Sequence, residues 1–272
     1  MDYTLRTRIS RIVVDDAVEL NSDITLLGWV RTARVGKNVA FVELNDGSCR
    51  GNIQGVIDEP DKHPELKNVT TGASVRLKGK LIESQGKGQK YEVAVSELTL
   101  VGAADESFPL QKKRHSFEFL REIAHLRPRS NTFGALNRLR SKLAYGIHKY
   151  YQERGFYYIH TPIITASDCE GAGDMFRVST LPVDNPPRTP DGQIDWDQDF
   201  FATQTYLTVS GQLEGEALAT ALGDIYTFGP TFRSENSNTS RHASEFWMIE
   251  PELAFADLKD DMALAEDFVK HL

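Results

Sequence analysis

The sequence predicts a small all-β barrel followed by an α+β domain built on an antiparallel sheet. Residues 24–101 are rich in β-branched residues and alternate apolar and polar positions between turn signals, which is typical of strands. From residue 133 the apolar period becomes that of an amphipathic helix, and strand-like and helix-like segments then follow one another. The predicted divisions are a barrel domain over 1–104, a linker over 105–132 and the α+β domain over 133–272.

The barrel segment contains five strand-like stretches, and a short helix fits "HPELKNV" between the third and the fourth. Turn signals rich in glycine and asparagine separate most of these stretches. The order of elements is that of an OB-fold barrel. Another small β barrel or a sandwich would fit the same alternation, so the pattern by itself leaves both interpretations open.

The second domain is predicted to begin with a helix over 133–155. A strand over "FYYIHTPIIT" follows and is interrupted by Pro162, which has no N–H for a sheet ladder. Further segments predict a strand near 206–209, a helix over 214–222, two strands around a polar loop, and a final helix from Asp257. Five apolar residues of the first helix fall on one face: Leu136, Leu139, Leu143, Ile147 and Tyr150.

The composition is that of an ordinary globular protein, with 272 residues, 40% apolar residues and a net charge of −8. This charge argues against a protein that coats DNA, although residues 1–114 are less acidic than the rest. No apolar run approaches the roughly 20 residues that span a bilayer, and the N-terminus lacks a signal-peptide pattern. Cys49 and Cys169 stand in no metal-ligand spacing. We therefore expect a cytoplasmic chain without a metal site, a disulfide or a membrane partner.

The loop over 232–242 joins two strand-like segments and contains no aliphatic side chain. Arginine offers a planar fork to phosphate oxygens, a carboxylate accepts from an exocyclic amine, and an aromatic face stacks on a purine. Such a set suits a nucleoside triphosphate, while a plain solvated loop remains the alternative. Because no glycine-rich phosphate motif occurs, side chains on antiparallel strands would have to hold ATP. The residues are Arg233, Glu235, Arg241, His242 and Phe246.

The segment "FRSE…RHASEF" resembles motif 2 of the class II aminoacyl-tRNA synthetases, and "LRSKLAYGIHKYYQERGFYYIHTPIIT" resembles their motif 1. A barrel before the catalytic domain matches the subclass that handles aspartate, asparagine and lysine. Three stretches, "CEGAGDMF", "YLTVSGQLEGEALATALGDIYTFGP" and "EFWMIEPELAFADL", are similar to asparaginyl-tRNA synthetases of the bacterial type. The resemblance covers nearly the whole chain and implies an OB-fold anticodon-binding domain followed by a class II synthetase catalytic domain.

The resemblance also implies roles for the loop residues. Arg233 would hold the α-phosphate of ATP while a carboxylate attacks it, so it is the expected catalytic residue. Glu235 would fix the adenine end of the nucleotide. Phe246 would stack on adenine, unless its ring is an ordinary core aromatic. Arg241 and His242 would reach the β- and γ-phosphates.

The amino-acid pocket is assigned in the same way to Glu170, Ser210, Gln212 and Glu216. Glu170 would bind the α-ammonium group of the substrate from a loop that contains glycines. The aspartate enzymes carry a lysine at the position of Gly215, where this sequence has no cation. Glu216 would accept from the carboxamide of asparagine and would repel a β-carboxylate. A first-turn residue favoured by the helix dipole is the alternative for Glu216.

Two barrel residues, Phe41 and Gln54, match the positions that read the anticodon in this subclass, and Arg31 and Arg34 complete the expected anticodon-binding set. Phe41 would stack on a splayed base, which is worth roughly 1–3 kcal/mol, and Gln54 would hydrogen-bond a base edge. The two arginines would contact phosphate or base. A place in the barrel core is the alternative for Phe41, and Trp29 is expected to be core.

The implied reaction joins asparagine to tRNA(Asn), with ATP as substrate and Mg²⁺ expected. Asparaginyl-adenylate and pyrophosphate form first, and the adenylate then acylates the terminal adenosine of the tRNA. Motif 1 usually forms a two-fold interface, so we expect a homodimer through the region of Pro162. The family's third motif lies well downstream of motif 2, whereas this sequence extends 26 residues past Phe246. We therefore expect the N-terminal part of a longer enzyme, deficient in adenylate formation by itself.

Two other functions remain open at this point. A truncated paralogue could bind tRNA or a synthetase partner without chemistry; the missing third motif favours it, and the intact "FRSE" and "RH" residues disfavour it. An aspartyl-tRNA synthetase or a synthetase-like asparagine synthetase is the second alternative. Gly215 and Glu216 argue against aspartate, and the anticodon-type barrel argues against an enzyme that never binds tRNA.

Overall fold

The computed structural model describes residues 6–169, 171, 174–237, 239 and 241–272. Contacts along the chain group into two compact units, Met1–Leu139 and Arg140–Leu272. The boundaries of 1–104, 105–132 and 133–272 stay predictions. No helix in the described ranges is long and apolar enough to cross a bilayer.

The first unit contains a closed five-stranded barrel with the strand order β1-β2-β3-β5-β4. Neighbouring strands are antiparallel except for β3 and β5, which pair in parallel. Two short 3₁₀ helices, Pro60–Lys62 and Pro64–Asn68, take the place of the helix expected between β3 and β4. This arrangement confirms the OB-fold barrel. The strands are β1 (Asp23–Val35), β2 (Val39–Asn45), β3 (Ile53–Asp58), β4 (Ser74–Glu83) and β5 (Tyr91–Gly102).

Alternation along the strands divides the barrel into an apolar interior and a polar outer surface. On β2, Ala40, Val42 and Leu44 are fully buried, whereas Phe41 and Glu43 project from the opposite face and are partly exposed. Because successive side chains point to opposite faces, this register fixes which residues can meet a ligand outside the barrel.

Three further helices belong to or begin in the first unit: α1 (Ile9–Val13), α2 (Phe117–Glu122) and α3 (Asn131–Glu153). Ile9 and Ile12 of α1 are buried in the barrel core. The N–H of Ile9 donates to the buried Asp46 carboxylate at 3.0 Å, and Ser116 caps the first turn of α2. The short helices α1 and α2 are therefore stabilised both by hydrogen bonds to the N–H groups of their first turns and by packing.

The second unit holds two three-stranded sheets, β11-β10-β6 and β7-β9-β8. The strand that was expected to be interrupted at Pro162 is indeed split, and its two halves lie in different sheets. The final helix begins where predicted, because Asp257 caps it with bonds to the N–H groups of Lys259 and Asp260. The elements are β6 (Tyr157–Ile159), β7 (Ile164–Thr165), β8 (Arg177–Val178), β9 (Thr205–Leu207), α4 (Gln212–Leu222), β10 (Ile225–Phe232), β11 (Glu245–Glu252) and α5 (Leu258–His271).

The core of the second unit lies on one face of the β10–β11 hairpin. Tyr226 and Phe228 of β10 pack there with Tyr150 and Tyr151 of α3 and with Phe268 of α5. The apolar face predicted for α3 is buried in its C-terminal half, since Ile147 and Tyr150 are buried. Leu136 and Leu139, by contrast, are 44% and 56% exposed. The opposite face of the hairpin is the polar one.

Candidate active site

The polar face of the β10–β11 hairpin carries Phe246, one of the predicted motif 2 residues, and leads to Arg233 directly after β10. Thr227 lies opposite Glu250, Gly229 opposite Met248, and Thr231 opposite Phe246. These alternate positions project from the same side of the sheet. A Cβ at Gly229 would have no neighbour within 4 Å, so the middle of this face is open space. Phe246 and Glu250 are therefore about 13–14 Å apart along one strand, with a gap between them.

The first end of this face is formed by Arg233 and Phe246. The N–H of Arg233 donates to Ser244 O at 3.0 Å, which extends the ladder beyond β10. Its guanidinium carbon lies 5.5 Å from the centroid of the Phe246 ring, in a cation–π arrangement. Arg233 Nε is buried and has no hydrogen-bond partner among the described residues. A buried N–H without an acceptor is costly, so an anionic oxygen would be stabilised here.

The other predicted ATP-binding residues lie in the loop between β10 and β11. Glu235, Arg241 and His242 are exposed, and the hydroxyl of Thr239 hydrogen-bonds His242 Nδ1. Within the described part of the chain, no hydrogen bond or ion pair joins these three side chains to Arg233. The structure therefore brings together Arg233 and Phe246, and leaves the other three on the loop above the strands.

The second end of the face is a hydrogen-bonded carboxylate, Glu250. It accepts from the hydroxyl of Ser210, from the N–H of Gly211 at 3.2 Å and from the hydroxyl of Thr227 at 2.9 Å. Ser210 is buried and its Oγ in turn accepts from the N–H of Gln212 at 3.0 Å. Sequence reasoning missed Glu250. Its period-2 spacing from Phe246 on the same strand was the signal that could have found it.

The predicted pocket residues Gln212 and Glu216 continue this network on α4. Gln212 Nε2 donates to Glu216 Oε1 at 2.9 Å, one helical turn further on. Glu252, the next residue of β11 on the same face, has a raised pKa because of burial and then because of the nearby carboxylates of Glu216 and Glu250. The environment is thus strongly electronegative. Glu170, the fourth predicted pocket residue, lies outside the described residues.

The two glycines at the start of α4, Gly211 and Gly215, differ in how closely the neighbouring residues approach them. A Cβ at Gly211 would lie 2.8 Å from Thr161 Oγ1 and 3.1 Å from Thr227 Oγ1, which real structures do not allow without movement. A Cβ at Gly215 would lie 3.4 Å from Ile225 Cδ1 and 3.8 Å from Glu252 Cγ, an ordinary contact. A longer side chain at 215 would therefore extend toward Glu252.

The predicted anticodon residues lie mostly on the outer face of the barrel. Arg34 pairs with Phe41 across β1 and β2, and its guanidinium carbon is 5.4 Å from the Phe41 ring centroid. Gln54 pairs with Glu43, the next outward position of β2. Since Ala40 is buried on the other side, the outward position of Phe41 rules out the core alternative.

Arg31 and Trp29 are placed differently. Arg31 sits at a bulge in β1, and its guanidinium donates to Arg129 O at 2.8 Å and to Asn131 Oδ1 at 2.9 Å. The expectation that Trp29 belongs to the core is wrong: its side chain is 47% exposed and stacks under the guanidinium of Arg129. The buried Val30 follows it, so strand alternation turns Trp29 outward.

Pro162 lies between β6 and β7 and is exposed. Strand β6 is an edge of its sheet, and its Tyr157 is 58% exposed. Trp247 of β11, on the apolar side of the hairpin, is 51% exposed. Among the described residues, no cluster of three or more His, Cys, Asp or Glu side chains could hold a metal ion.

Two family models match the chain. The model for tRNA synthetases class II (D, K and N) matches residues 116–272, and that for the OB-fold nucleic acid binding domain matches residues 24–101. Since the first match covers more than half of the sequence, this chain belongs to the class II tRNA synthetases of the D, K and N group.

Within that group, the chain is similar to proteins named asparagine–tRNA ligase or asparaginyl-tRNA synthetase. The chain is 59% identical over 268 residues to an asparagine–tRNA ligase of Geotalea uraniireducens (strain Rf4), and 59% identical over 269 residues to one of Geobacter sulfurreducens. These matches cover 98% of this chain and 58% of each relative's length. Asparaginyl-tRNA synthetase from Pyrococcus horikoshii, solved with asparaginyl-adenylate, matches with a TM-score of 0.79 and 25% identity, over 98% of this chain and 57% of that one.

Proposed function

We propose that this chain supplies the substrate-binding strands and the tRNA-reading barrel of an asparagine–tRNA ligase. The observation that carries the proposal is the polar face of the β10–β11 hairpin. One of its ends has a buried guanidinium nitrogen, beside an aromatic ring, to which no described residue offers an acceptor, and the other has the Glu250 network. An adenylated amino acid has a nucleotide at one end and an ammonium and side chain at the other, which matches this order.

The ATP end works through charge and stacking. Arg233 binds the α-phosphate and stabilises the charge that builds there as the carboxylate attacks. Phe246 stacks on adenine, and Glu235 fixes the same end of the nucleotide. Arg241 and His242 reach the outer phosphates from the loop, and Mg²⁺ accompanies ATP as the counter-ion of the triphosphate.

The asparagine end works through a chain of hydrogen bonds. Ser210 and Gln212 line the pocket, while Glu250 holds Ser210 in place by accepting from its hydroxyl. Glu216 accepts from the carboxamide of asparagine, and Glu170 binds its α-ammonium group. The β-carboxylate of aspartate would enter a region that already holds several carboxylates. Position 215 is a glycine and offers no cation to pair with it, so aspartate is disfavoured.

The reaction consists of two displacements. The asparagine carboxylate oxygen attacks the α-phosphorus of ATP, and pyrophosphate leaves. A ribose hydroxyl of the terminal adenosine of tRNA(Asn) then attacks the adenylate carbonyl, and AMP leaves. The protein positions the reactants and stabilises charge, and no covalent enzyme intermediate is needed.

The barrel recognises the anticodon of the tRNA, and two copies of the protein form a homodimer. Phe41 stacks on an anticodon base, with Arg34 beside its ring, and Gln54 reads a base edge. We assign Arg31 a bracing role on residues 129–131, because its guanidinium is already bonded there. The exposed β6 edge around Pro162 supports a homodimer through motif 1. A cytoplasmic location accords with this function.

The test is the binding of two stable adenylate analogues, an asparaginyl and an aspartyl sulfamoyl adenosine, measured by isothermal titration calorimetry. We expect the asparaginyl analogue to bind at least about tenfold more tightly, because the acidic pocket repels a second carboxylate. Tighter binding of the aspartyl compound would favour an aspartate enzyme. Binding of tRNA without either analogue would favour a paralogue that does no chemistry.

A further inference from the structure

Asp199 is a buried carboxylate outside the candidate active site, at the end of the proline-rich segment 181–198. It is 8% exposed. Its Oδ1 accepts from the N–H of Thr180 at 2.9 Å, from the Thr180 hydroxyl at 2.8 Å and from the N–H of Phe200 at 2.8 Å. These bonds, above all that from the Thr180 N–H, hold the pKa of Asp199 well below its usual range. The ionised side chain therefore joins two parts of the chain that lie nineteen positions apart.

The two parts are the chain that leaves β8 and the chain that approaches β9. All of β8, Arg177 and Val178, takes part in the antiparallel pairing with β9. In a hairpin the turn fixes the register of such a ladder, whereas here the connection runs over 179–204. A ladder this short, joined by a connection this long, has little of its own to define its register. The Asp199 carboxylate closes the connection next to the ladder and so takes the place of a tight turn.

The end of β9 leads directly into the amino-acid pocket. Thr208, the residue after β9, is buried; its N–H donates to Ile163 O at 2.8 Å and its hydroxyl donates to Ser210 O. Thr208 O in turn accepts from the N–H of Phe232 at 2.9 Å. These bonds fix β9 and Ser210, the partner of Glu250, without any contribution from Asp199.

Strand β8, by contrast, is an edge strand and pairs with β9 alone among the described strands. Upstream of it, Phe176 O accepts from the N–H of Leu207 at 2.8 Å, and Asp174 O accepts from the N–H of Ser234 at 2.8 Å. Asp174 lies four positions after Glu170, the expected partner of the substrate ammonium group. The register of β8 on β9 therefore sets the point at which the segment that follows Glu170 joins the sheet.

We infer that Asp199 is a positioning residue for amino-acid binding: its carboxylate fixes β8 on β9, and with it the point from which Glu170 reaches the asparagine pocket. The inference rests on the proposed function in taking Glu170 and Ser210 as pocket residues. Binding groups must be held within about 0.5 Å of the productive geometry, so a slip of β8 would weaken amino-acid binding. The nucleotide end is held differently, by the eight residue pairs of the β10–β11 ladder and by the bond from Arg233 N–H to Ser244 O. Asp199 should therefore affect asparagine binding and leave ATP binding nearly unchanged.

The test uses three variants of the 272-residue chain. Asp199→Ala removes the acceptor, Asp199→Asn keeps an oxygen acceptor for the same donors, and Asp197→Ala removes an exposed carboxylate from the same segment as the control. Isothermal titration calorimetry measures the affinities for asparaginyl sulfamoyl adenosine and for ATP. Hydrogen exchange by mass spectrometry compares peptides over 174–180 with peptides over β10 in the absence of ligand, and circular dichroism verifies folding.

We expect Asp199→Ala to weaken binding of the asparaginyl analogue by about tenfold or more and that of ATP by less than about twofold, because a displacement near 1 Å is enough for such a loss. Residues 174–180 should exchange faster, while β10 stays as protected as in the wild type. Asp199→Asn and Asp197→Ala should stay within about threefold of the wild type for both ligands. Should Asp199→Ala unfold, Thr180→Val removes one of the three donors and should show a smaller loss with the same selectivity.

Equal losses for the two ligands, or wild-type affinity and exchange in Asp199→Ala, would overturn the inference, as would the absence of rescue by Asp199→Asn. Failure of the proposed function looks different, because the wild-type chain would then bind no asparaginyl analogue. In that case the exchange of residues 174–180 still decides whether Asp199 fixes β8: faster exchange in Asp199→Ala supports it, and unchanged exchange overturns it.

Discussion

The guanidinium carbon of Arg233 lies 5.5 Å from the centre of the Phe246 ring. These residues are thirteen positions apart and are joined by the polar loop, so the antiparallel pairing of β10 and β11 is what brings them together. A planar cation beside a planar ring forms a corner into which a purine nucleotide would fit, its base against the ring and its phosphate against the cation.

Arg233→Lys should weaken ATP binding by about tenfold or more, because lysine cannot reproduce the planar fork that binds two phosphate oxygens. Isothermal titration calorimetry with ATP measures the change. Arg121→Lys, on the exposed surface of α2, is the matched control and should bind ATP as the wild type does. Wild-type affinity in the Arg233 variant would remove this residue from the nucleotide site.

Thr227→Val should lower both stability and affinity for the asparaginyl analogue. The change keeps the side-chain shape but removes a buried hydroxyl that donates to Glu250 at 2.9 Å. We expect a loss of about 1–3 kcal/mol in the free energy of unfolding, since the bond is to a charged group. Thr220→Val, on the exposed side of α4, is the control. Urea unfolding measures the first effect, and calorimetry with the analogue measures the second.

Gly211→Ala and Gly215→Ala should act in opposite directions. At 211 the new methyl group would meet Thr161 Oγ1 at 2.8 Å, so α4 must move and the protein should be destabilised by about 1–3 kcal/mol. At 215 the methyl group makes ordinary contacts and improves helix propensity, for an expected gain of up to about 1 kcal/mol. Thermal unfolding compares the stability of the two variants. A Gly215→Ala variant less stable than the wild type would show that α4 packs too tightly against β10 to admit a methyl group at 215.

Stability should fall at alkaline pH, between about pH 10 and 12. Burial raises the pKa of Tyr150 and of Tyr151 to about 12, with the Tyr150 hydroxyl also bonded to Asp267. The folded pKa lies above the unfolded value near 10, so this stabilisation is complete below pH 10 and is lost as pH rises through 12. The loss should amount to a few kcal/mol, at about 1.4 kcal/mol per pKa unit.

Urea unfolding at a series of pH values up to about 11.5 measures this slope. Tyr150→Phe should flatten it, although the variant starts from a lower stability because it loses the bond to Asp267. Tyr145→Phe is the control, since Tyr145 is 70% exposed on the same helix. A slope that Tyr150→Phe leaves unchanged would assign the alkaline loss to other groups.

The sequence predicted the barrel and the hairpin well because both depend on local patterns. Alternation of apolar and polar residues identified the strands. Pro162 predicted a break in a strand because it has no N–H, and Asp257 predicted a helix start because its side chain can cap the first turn. Motif 2 likewise predicted that Arg233 and Phe246 serve one nucleotide site, and their side chains lie together. The spacing of Glu250 from Phe246 could have shown that the two share a face of β11. The hydrogen bonds of Glu250 could not be predicted, because its partners Ser210 and Thr227 come from different elements.

The outward position of Trp29 could have been predicted, because Ile24, Leu26 and Val30 are the inward positions of β1 and Trp29 has the opposite parity. The position of Arg31 could not, since a bulge between Val30 and Thr32 alters the alternation there and no pattern in the sequence announces it. The sequence also could not show that Arg50 and residues 112–114 line one cavity of the first unit, because these stretches are far apart along the chain. Summed charge showed no more than a mild excess of basic residues in this half of the chain.

The two faces of the β10–β11 hairpin have a practical consequence for engineering. Phe228 packs against His148 of α3 and Trp247 of β11 and is adjacent in sequence to Thr227 and Gly229, so a substitution that shifts the backbone at Phe228 also shifts the polar face. Substitutions chosen to stabilise the hydrophobic core would then also change the affinity for substrates, although none of the substituted residues contacts a substrate. Screens for heat-resistant variants of this protein should therefore be scored for ligand selectivity in the same experiment.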